Sequence, residues 1–470
     1  MGYDRNLAAE RGNGRNRLTL NNQNNWKFLN DRLKVLAGIY LSRQQSESGT
    51  PGTGGLSPYE RLADENGTPL PVHYTLSNRF IRKAPENGFL DWSYVPLNEI
   101  GLDPVIRNSQ DLRLNTKISY QLIKGIIAEL SYQFWQNQTK ESQLYPMQSY
   151  FARNLINTYT QTNASGVKTY PVPRADILDR SYSAGSSQTY RGMLSFDQVY
   201  HSRHALNAIA GFEVRNFQTE TDQVRAYGYS DATGIVEPVD YLTRWTKASD
   251  RFTATIPFVD EFTAQTDRYI SAYLNGGYTL DSKYSFTASI RRDASNLFGV
   301  NTNQKFIPLW SAGVGYTLSE EDFFQFAWID FLRIRASYGY NGNTDKRVTA
   351  FPSGRLFPSS FNYFTYLPFT RIELPGNPEL RWERIKIINL GADFNLFEDR
   401  LEGTFEWYYK NGLDIIGDYS IPSSSGFSSV RGNYANTETK GFDFSSTLKI
   451  LQGQLGWKVN FLLSHLSEKV

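Results

Sequence analysis

Residues 331–343 read FLRIRASYGYNGN, and their side chains sort into two sets by alternate position. Leu332, Ile334, Ala336, Tyr338 and Tyr340 make one set; Arg333, Arg335, Ser337, Gly339 and Asn341 make the other. A period of two marks an extended strand whose faces meet different surroundings, because neighbouring side chains point to opposite sides. The pattern returns in ISAYLNGGYTLDSKYSFTASIRR, where Ile270, Ala272, Leu274, Gly276, Tyr278 and Leu280 share a face. A turn at residues 281–283 follows, and Tyr284, Phe286, Ala288 and Ile290 continue that face. Ser271, Asn275, Ser285, Thr287, Ser289 and Arg291 occupy the reverse, so this is a hairpin with one apolar and one wet side.

The same hairpin recurs at residues 388–409, where Ile388, Leu390, Ala392, Phe394 and Leu396 precede a turn and Leu401, Phe405, Trp407 and Tyr409 follow it. Asp393, Glu402 and Glu406 lie on the reverse. Further pairs are read at 118–134 around Lys124 and Gly125, at 190–214 around residues 200–204, at 442–463 around 452–454, and between 310–318 and 332–340. A weaker pair around Leu18 and residues 33–41 brings the expectation to about fourteen strands, each near the nine to eleven residues of a tilted membrane crossing. Within the six clear hairpins the apolar parity carries no Asp, Glu, Lys or Arg. Lipid would impose that exclusion, since an Arg or Lys at a midplane position costs roughly 2 to 4 kcal/mol. A sandwich core would impose it too.

Connection lengths bear on the choice. Short turns alternate with long links at residues 42–110, 136–188, 217–268, 342–384 and 411–440. Outer-membrane barrels have this asymmetry, whereas a soluble domain seldom holds several loops beyond about 15 residues. Aromatics fit two girdles, with Phe134, Tyr338, Tyr340, Trp407 and Tyr409 towards the long links and Tyr284 and Trp457 beside the short turns. No apolar run reaches the length of a transmembrane helix, and a mean hydropathy of -0.48 is compatible with a barrel because strands hide their apolar residues in alternate positions. The fold expected is all-β, a transmembrane antiparallel barrel, with Arg291, Arg333, Arg335, Asp393, Glu402 and Glu406 facing an aqueous lumen.

With 49 basic and 47 acidic residues and no basic stripe, the chain offers nucleic acid no surface. The absence of cysteine removes thiolate catalysis and Cys-based metal sites. His201 and His204 stand in a short turn without an obvious third ligand, so a metal site there is not expected. SGTPGTGG, at residues 48–55, lacks the ending of a phosphate-binding loop, and NGNTD, at 341–345, reads as a plain turn rather than a calcium loop. No nucleophile is paired with a base, so neither an enzyme nor a cofactor is expected. The loop at 351–383 is dense in Phe, Tyr, Pro and Arg; such rings with polar handles suit sugars or peptides, or they pack the loop on its neighbours. Tyr363, Phe364, Tyr366 and Arg371 are the candidate contacts.

Four stretches, in order, resemble the SusC/RagA family of TonB-linked outer-membrane transporters: RRDASNLFG with GVGYTLSEEDFF, FLRIRASYGYNGN, NPELRWERIKIINLGADFNLFEDRLEGTFEWYYKNGLDII, and NYANTETKGFDFS. The resemblance implies a large barrel of the 22-stranded plugged class, importing oligosaccharides or peptides with energy from TonB–ExbB–ExbD, capped by a SusD-like surface lipoprotein and set in outer-membrane lipid of a Bacteroidota-like cell. Residues 1–470 are expected to be one partial barrel, an internal piece without plug domain or TonB box. The stretches around Asn377, Trp382, Glu383 and Gly441 are expected to be architectural. A siderophore or metal-chelate receptor, a passive porin, and a soluble carbohydrate-binding β-protein are the alternatives.

Overall fold

The computed structural model describes residues 1–8, 12–49, 56–73, 75–297, 307–343, 345, 348, 350–357, 364, 365, 367 and 369–470. Fifteen strands form one antiparallel sheet in simple chain order. They are β1 Gly2–Leu7, β2 Gly14–Phe28, β3 Leu33–Ser48, β4 Val105–Ile123, β5 Ile126–Tyr145, β6 Asp176–Tyr200, β7 His204–Tyr229 and β8 Glu261–Leu280. The sheet continues through β9 Tyr284–Ser295, β10 Ile307–Thr317, β11 Ile329–Asn343, β12 Glu383–Leu396, β13 Leu401–Ser420, β14 Ser429–Leu451 and β15 Trp457–Lys469. The all-β barrel expectation is borne out.

Register turns the alternation of each strand into rows across the sheet. Phe286, Val314, Ala336, Leu390, Trp407 and Phe442 are successive cross-strand partners on one face. One residue along, Ser285, Gly315, Arg335, Gly391, Glu406 and Asp443 partner on the other. A slip of one residue would exchange the faces, so the contrast fixes register. Among the described residues nothing covers the apolar rows: Leu274 is 52% exposed, Val314 52% and Leu390 47%. A soluble sheet would bury these side chains against a second layer.

Strand length departs from the sequence expectation. β6 has 25 residues and β7 has 26, well beyond one membrane crossing. Part of each inferred long link is strand, since β5 runs on through QNQTKESQLY to Tyr145 and β13 to Ser420. The β5 extension is polar on both faces and the β13 extension shifts register between Gly412 and Ile416, so both lose the alternation that betrays a strand, while their backbone groups pair with the neighbouring strands.

At the short-turn end, each turn is tied to the next by one main-chain hydrogen bond. The carbonyls of Arg32, Gly125, Arg203, Lys283, Trp328 and Arg400 accept from the amides of Gln121, Asp197, Asp281, Thr317, Phe397 and Lys449 at 2.8–3.0 Å. Leu29, His201, Asp281 and Phe397 take left-handed φ of 48–57° to make these turns.

The other end carries a loop assembly with its own core. Helices α1 Asn78–Lys83, α2 Pro96–Glu99 and α3 Tyr150–Tyr159 lie in the first two long links. The Ser149 hydroxyl caps α3 by accepting from the Ala152 amide. Ala152, Ile156 and Tyr159 of α3 meet Val172, Ile177, Tyr227 and Ile256 in one buried cluster. The Trp92 indole, 1% exposed, donates to Asn154 Oδ1 at 2.8 Å. Glu99 is buried, accepting from the Tyr150 amide at 2.9 Å and pairing with Arg153 at 3.3 Å.

A smaller cluster explains NPELRWER. Leu380 and Trp382 pack with Val348 and Ile416. Asn433 holds Arg381 by both amide and carbonyl, and Asp414 receives Arg381 and Arg384, each at 2.6 Å. Buried Glu383 accepts from Asn343 Nδ2 at 2.9 Å and from the Ile416 amide at 2.8 Å. The motif is scaffold, as is Gly441, where a Cβ would lie 2.5 Å from the Tyr408 hydroxyl.

Candidate functional site: the charged polar face

The six charged residues singled out from the sequence share the polar side of the sheet but fall into separate stations. In the central one, Arg335 Nε donates to Asp393 Oδ2 at 3.0 Å and its Nη2 to Asp393 Oδ1 at 3.3 Å. The same guanidinium also reaches Glu406. Thr404 Oγ1 donates to Asp393 Oδ1 at 3.0 Å, fixing the carboxylate from the next strand. Glycine makes this possible, because a Cβ at Gly391 would sit 3.0 Å from the Arg335 Cζ. Arg333 lies similarly against Gly315, donating from Nη2 to Ser285 Oγ at 2.9 Å.

Arg291 belongs to a second station. It pairs with Asp293 at 2.8 Å, donates to Ser271 Oγ at 2.9 Å and lies 5.8 Å from the Tyr273 ring centre. Glu402 forms a third with Lys449 Nζ at 3.2 Å. Arg191 and Glu213, paired across β6 and β7, extend the charged lining and were not singled out from the sequence. Their positions on alternate residues of adjacent strands were the available signal.

In the 351–383 loop, Arg371 sits 4.6 Å over the Phe357 ring, which stacks on Phe369 at 5.3 Å. Its guanidinium also approaches Glu373 at 3.7 Å. This packing answers to the scaffold reading of the loop, while Phe364 is 95% exposed. Tyr363 and Tyr366 lie outside the described residues. His204 Nδ1 makes a 2.8 Å hydrogen bond with the Tyr278 hydroxyl. In NGNTD, Asn343 is committed to Glu383 and Asp345 pairs with Arg431 at 3.7 Å, with Thr344 outside the described residues.

A face of alternating fixed charges and small hydroxyls is a hydrated wall, able to hold polar groups briefly and release them. Backed by uncovered apolar rows, it defines the wall of a membrane β-barrel. The family model described as TonB dependent receptor-like, beta-barrel matches residues 106–468, and the chain belongs to that family of outer-membrane transport barrels.

The TonB-dependent receptor P39 of Formosa agariphila is 30% identical over 278 residues, 59% of this chain and 25% of that protein. The TonB-dependent receptor SusC of Bacteroides thetaiotaomicron is 25% identical over 209 residues, 42% of this chain and 20% of its own. Among solved structures, the RagAB peptide transporter superposes with a TM-score of 0.72 at 17% identity, over 97% of this chain and 47% of that one. The ferripyoverdine receptor of Pseudomonas aeruginosa gives 0.52 at 11% identity, over 99% and 51%. The SusC/RagA resemblance is thereby borne out. The chain spans about half the length of these structural neighbours, and its matches cover a quarter or less of these two curated relatives.

Proposed function

We propose that this chain supplies barrel wall and outer loops to a TonB-energised importer of oligosaccharides or peptides in the outer membrane of a Gram-negative, Bacteroidota-like cell. The polar face lines the lumen, the apolar rows meet lipid, and the loop assembly stands outside the cell. The observation that carries this reading is the two-faced sheet, with uncovered apolar rows on one side and ion-paired stations on the other. Membership of the family supports TonB–ExbB–ExbD as the energy source and a SusD-like lipoprotein as the cap. Phe364 and Arg371, with Tyr363 and Tyr366, are cargo contacts from the loop side in this reading.

These 470 residues contain no cysteine, so single-cysteine labelling within them is clean. In bilayers, a water-soluble maleimide should modify Ser289→Cys and spare Ile290→Cys; equal labelling of both would sink the assignment of faces. In cells, uptake of labelled oligosaccharide or peptide by the whole protein should stop when the proton gradient is collapsed. Uptake that persists would favour a passive porin.

A further inference from the structure

Arg333 and Arg335 share a strand and a face, yet they are held differently. Arg335 is closed by Asp393 and Glu406. Arg333 stands directly opposite Asp393 in the ladder, but both oxygens of that carboxylate are turned towards Arg335, and one also accepts from Thr404. Of Arg291, Arg333 and Arg335, only Arg333 has no carboxylate within ion-pair distance among the described residues. Its contact is the Ser285 hydroxyl, which leaves most of the five donors of a guanidinium unused.

The surroundings are shaped for a ligand. A recess of about 180 Å³ opens beside the guanidinium, lined by Ser285, Thr287, Ser337 and Asn389 over Gly313 and Gly315. A Cβ at Gly315 would come within 2.9 Å of Arg333 Nη2, so this glycine makes room for the guanidinium against the sheet. A carboxylate or a sulfate presents two oxygens that match a guanidinium edge with two parallel hydrogen bonds, and the hydroxyls and the amide offer further donors. Arg333, Arg335, Asp393 and Glu406 together carry no net charge, so an anion is held by local geometry rather than by a strong field. Such binding is weak enough to release, as passage along a wall requires.

We propose that Arg333, with Ser285 and the glycine floor, is a station for an anionic group, carboxylate or sulfate, on the cargo that passes this face. The proposal rests on the reading of the polar face as the lumen. The test uses the whole protein in detergent micelles and saturation-transfer NMR with glucose 6-sulfate, glucuronate and glucose as probes. The two charged sugars should give signals that fall at least threefold in Arg333→Gln and survive largely in Arg333→Lys, which keeps the charge and guards against misfolding. Loss for only one charged sugar would assign the station to that anion. Equal signals in Arg333→Gln and the unsubstituted chain, or the same loss for glucose, would overturn the proposal. Neither result touches the maleimide pattern, so failure here is distinguishable from failure of the lumen reading.

Discussion

The wall around Arg335 and the loop assembly around Ile156 are made of the same chain but cohere in opposite ways. At the wall, side chains of one sheet stand with nothing among the described residues packed over them, and even Leu390 is 47% exposed. In the loop assembly, Ile156 is fully buried and segments distant in sequence meet around it. Wall cohesion therefore comes from ladder hydrogen bonds, register and an outside solvent that matches the apolar rows. Loop cohesion comes from excluding water. Damage should follow the same division.

The largest effect expected is from Ile156→Ala, which leaves a cavity in the loop core and costs about 3 to 4 kcal/mol. Hydrogen exchange should accelerate through α3 and leave the amides of β9–β12 protected; uniform acceleration would erase the distinction. Next is Leu390→Arg, costing about 2 to 3 kcal/mol by denaturant unfolding in bilayers because the charge faces lipid. Ser445→Arg on the polar face should be nearly neutral in the same measurement, and equal costs would contradict the two-faced wall.

Arg335→Gln should cost about 1 kcal/mol, since the guanidinium is partly exposed and such pairs contribute little. Asp393→Asn added to it should recover part of that loss by relieving the stranded acids, which a double-mutant cycle would show.

An effect of similar size is pH-dependent and belongs to the loop assembly. Burial, and then the charge of Glu99, push the Asp103 carboxyl up from 3.8 to about 6. The folded loops thus bind this proton more tightly than the unfolded chain does. The contribution of Asp103 is most favourable below about pH 4 and is lost as pH rises through 6, a difference of about 1 kcal/mol after allowing for solvent screening. Asp103→Asn should stabilise the loops at pH 7 and flatten their proteolysis rate between pH 4 and 6; an unchanged slope would remove Asp103 as its source.

Legibility in the sequence follows the same contrast. The hairpin turns at residues 124–125, 281–283 and 452–454 were readable because lipid-facing and wet residues alternate on both sides of them. The strand extensions were not, because Gln136 to Gln138 in β5 are polar on both faces and the alternation of β13 breaks at a register shift between Gly412 and Ile416. β1 was missed for the same reason, as GYDRNL has no apolar row. Helix α3 left a signal in Ser149 followed by Ala152, Leu155, Ile156 and Tyr159 at helical spacing. Its partners Val172, Tyr227 and Ile256 lie too far along the chain for any local pattern to reveal them. The charged residues of the polar face were readable by parity. That Arg335 would take both carboxylates and leave Arg333 to a serine was not, because a ladder partner is not necessarily a side-chain partner.

The bonds between successive short turns all point one way: each carbonyl is offered by the earlier hairpin and each amide comes from the later one. Every hairpin after the first therefore contributes the donor, and every hairpin before the last the acceptor, of a bond that joins neighbouring turns. Reversing two hairpins in the chain would keep every strand and every apolar row, yet break this sequence of bonds. The rim of short turns thus has a sense of its own, fixed by the order of the hairpins along the chain.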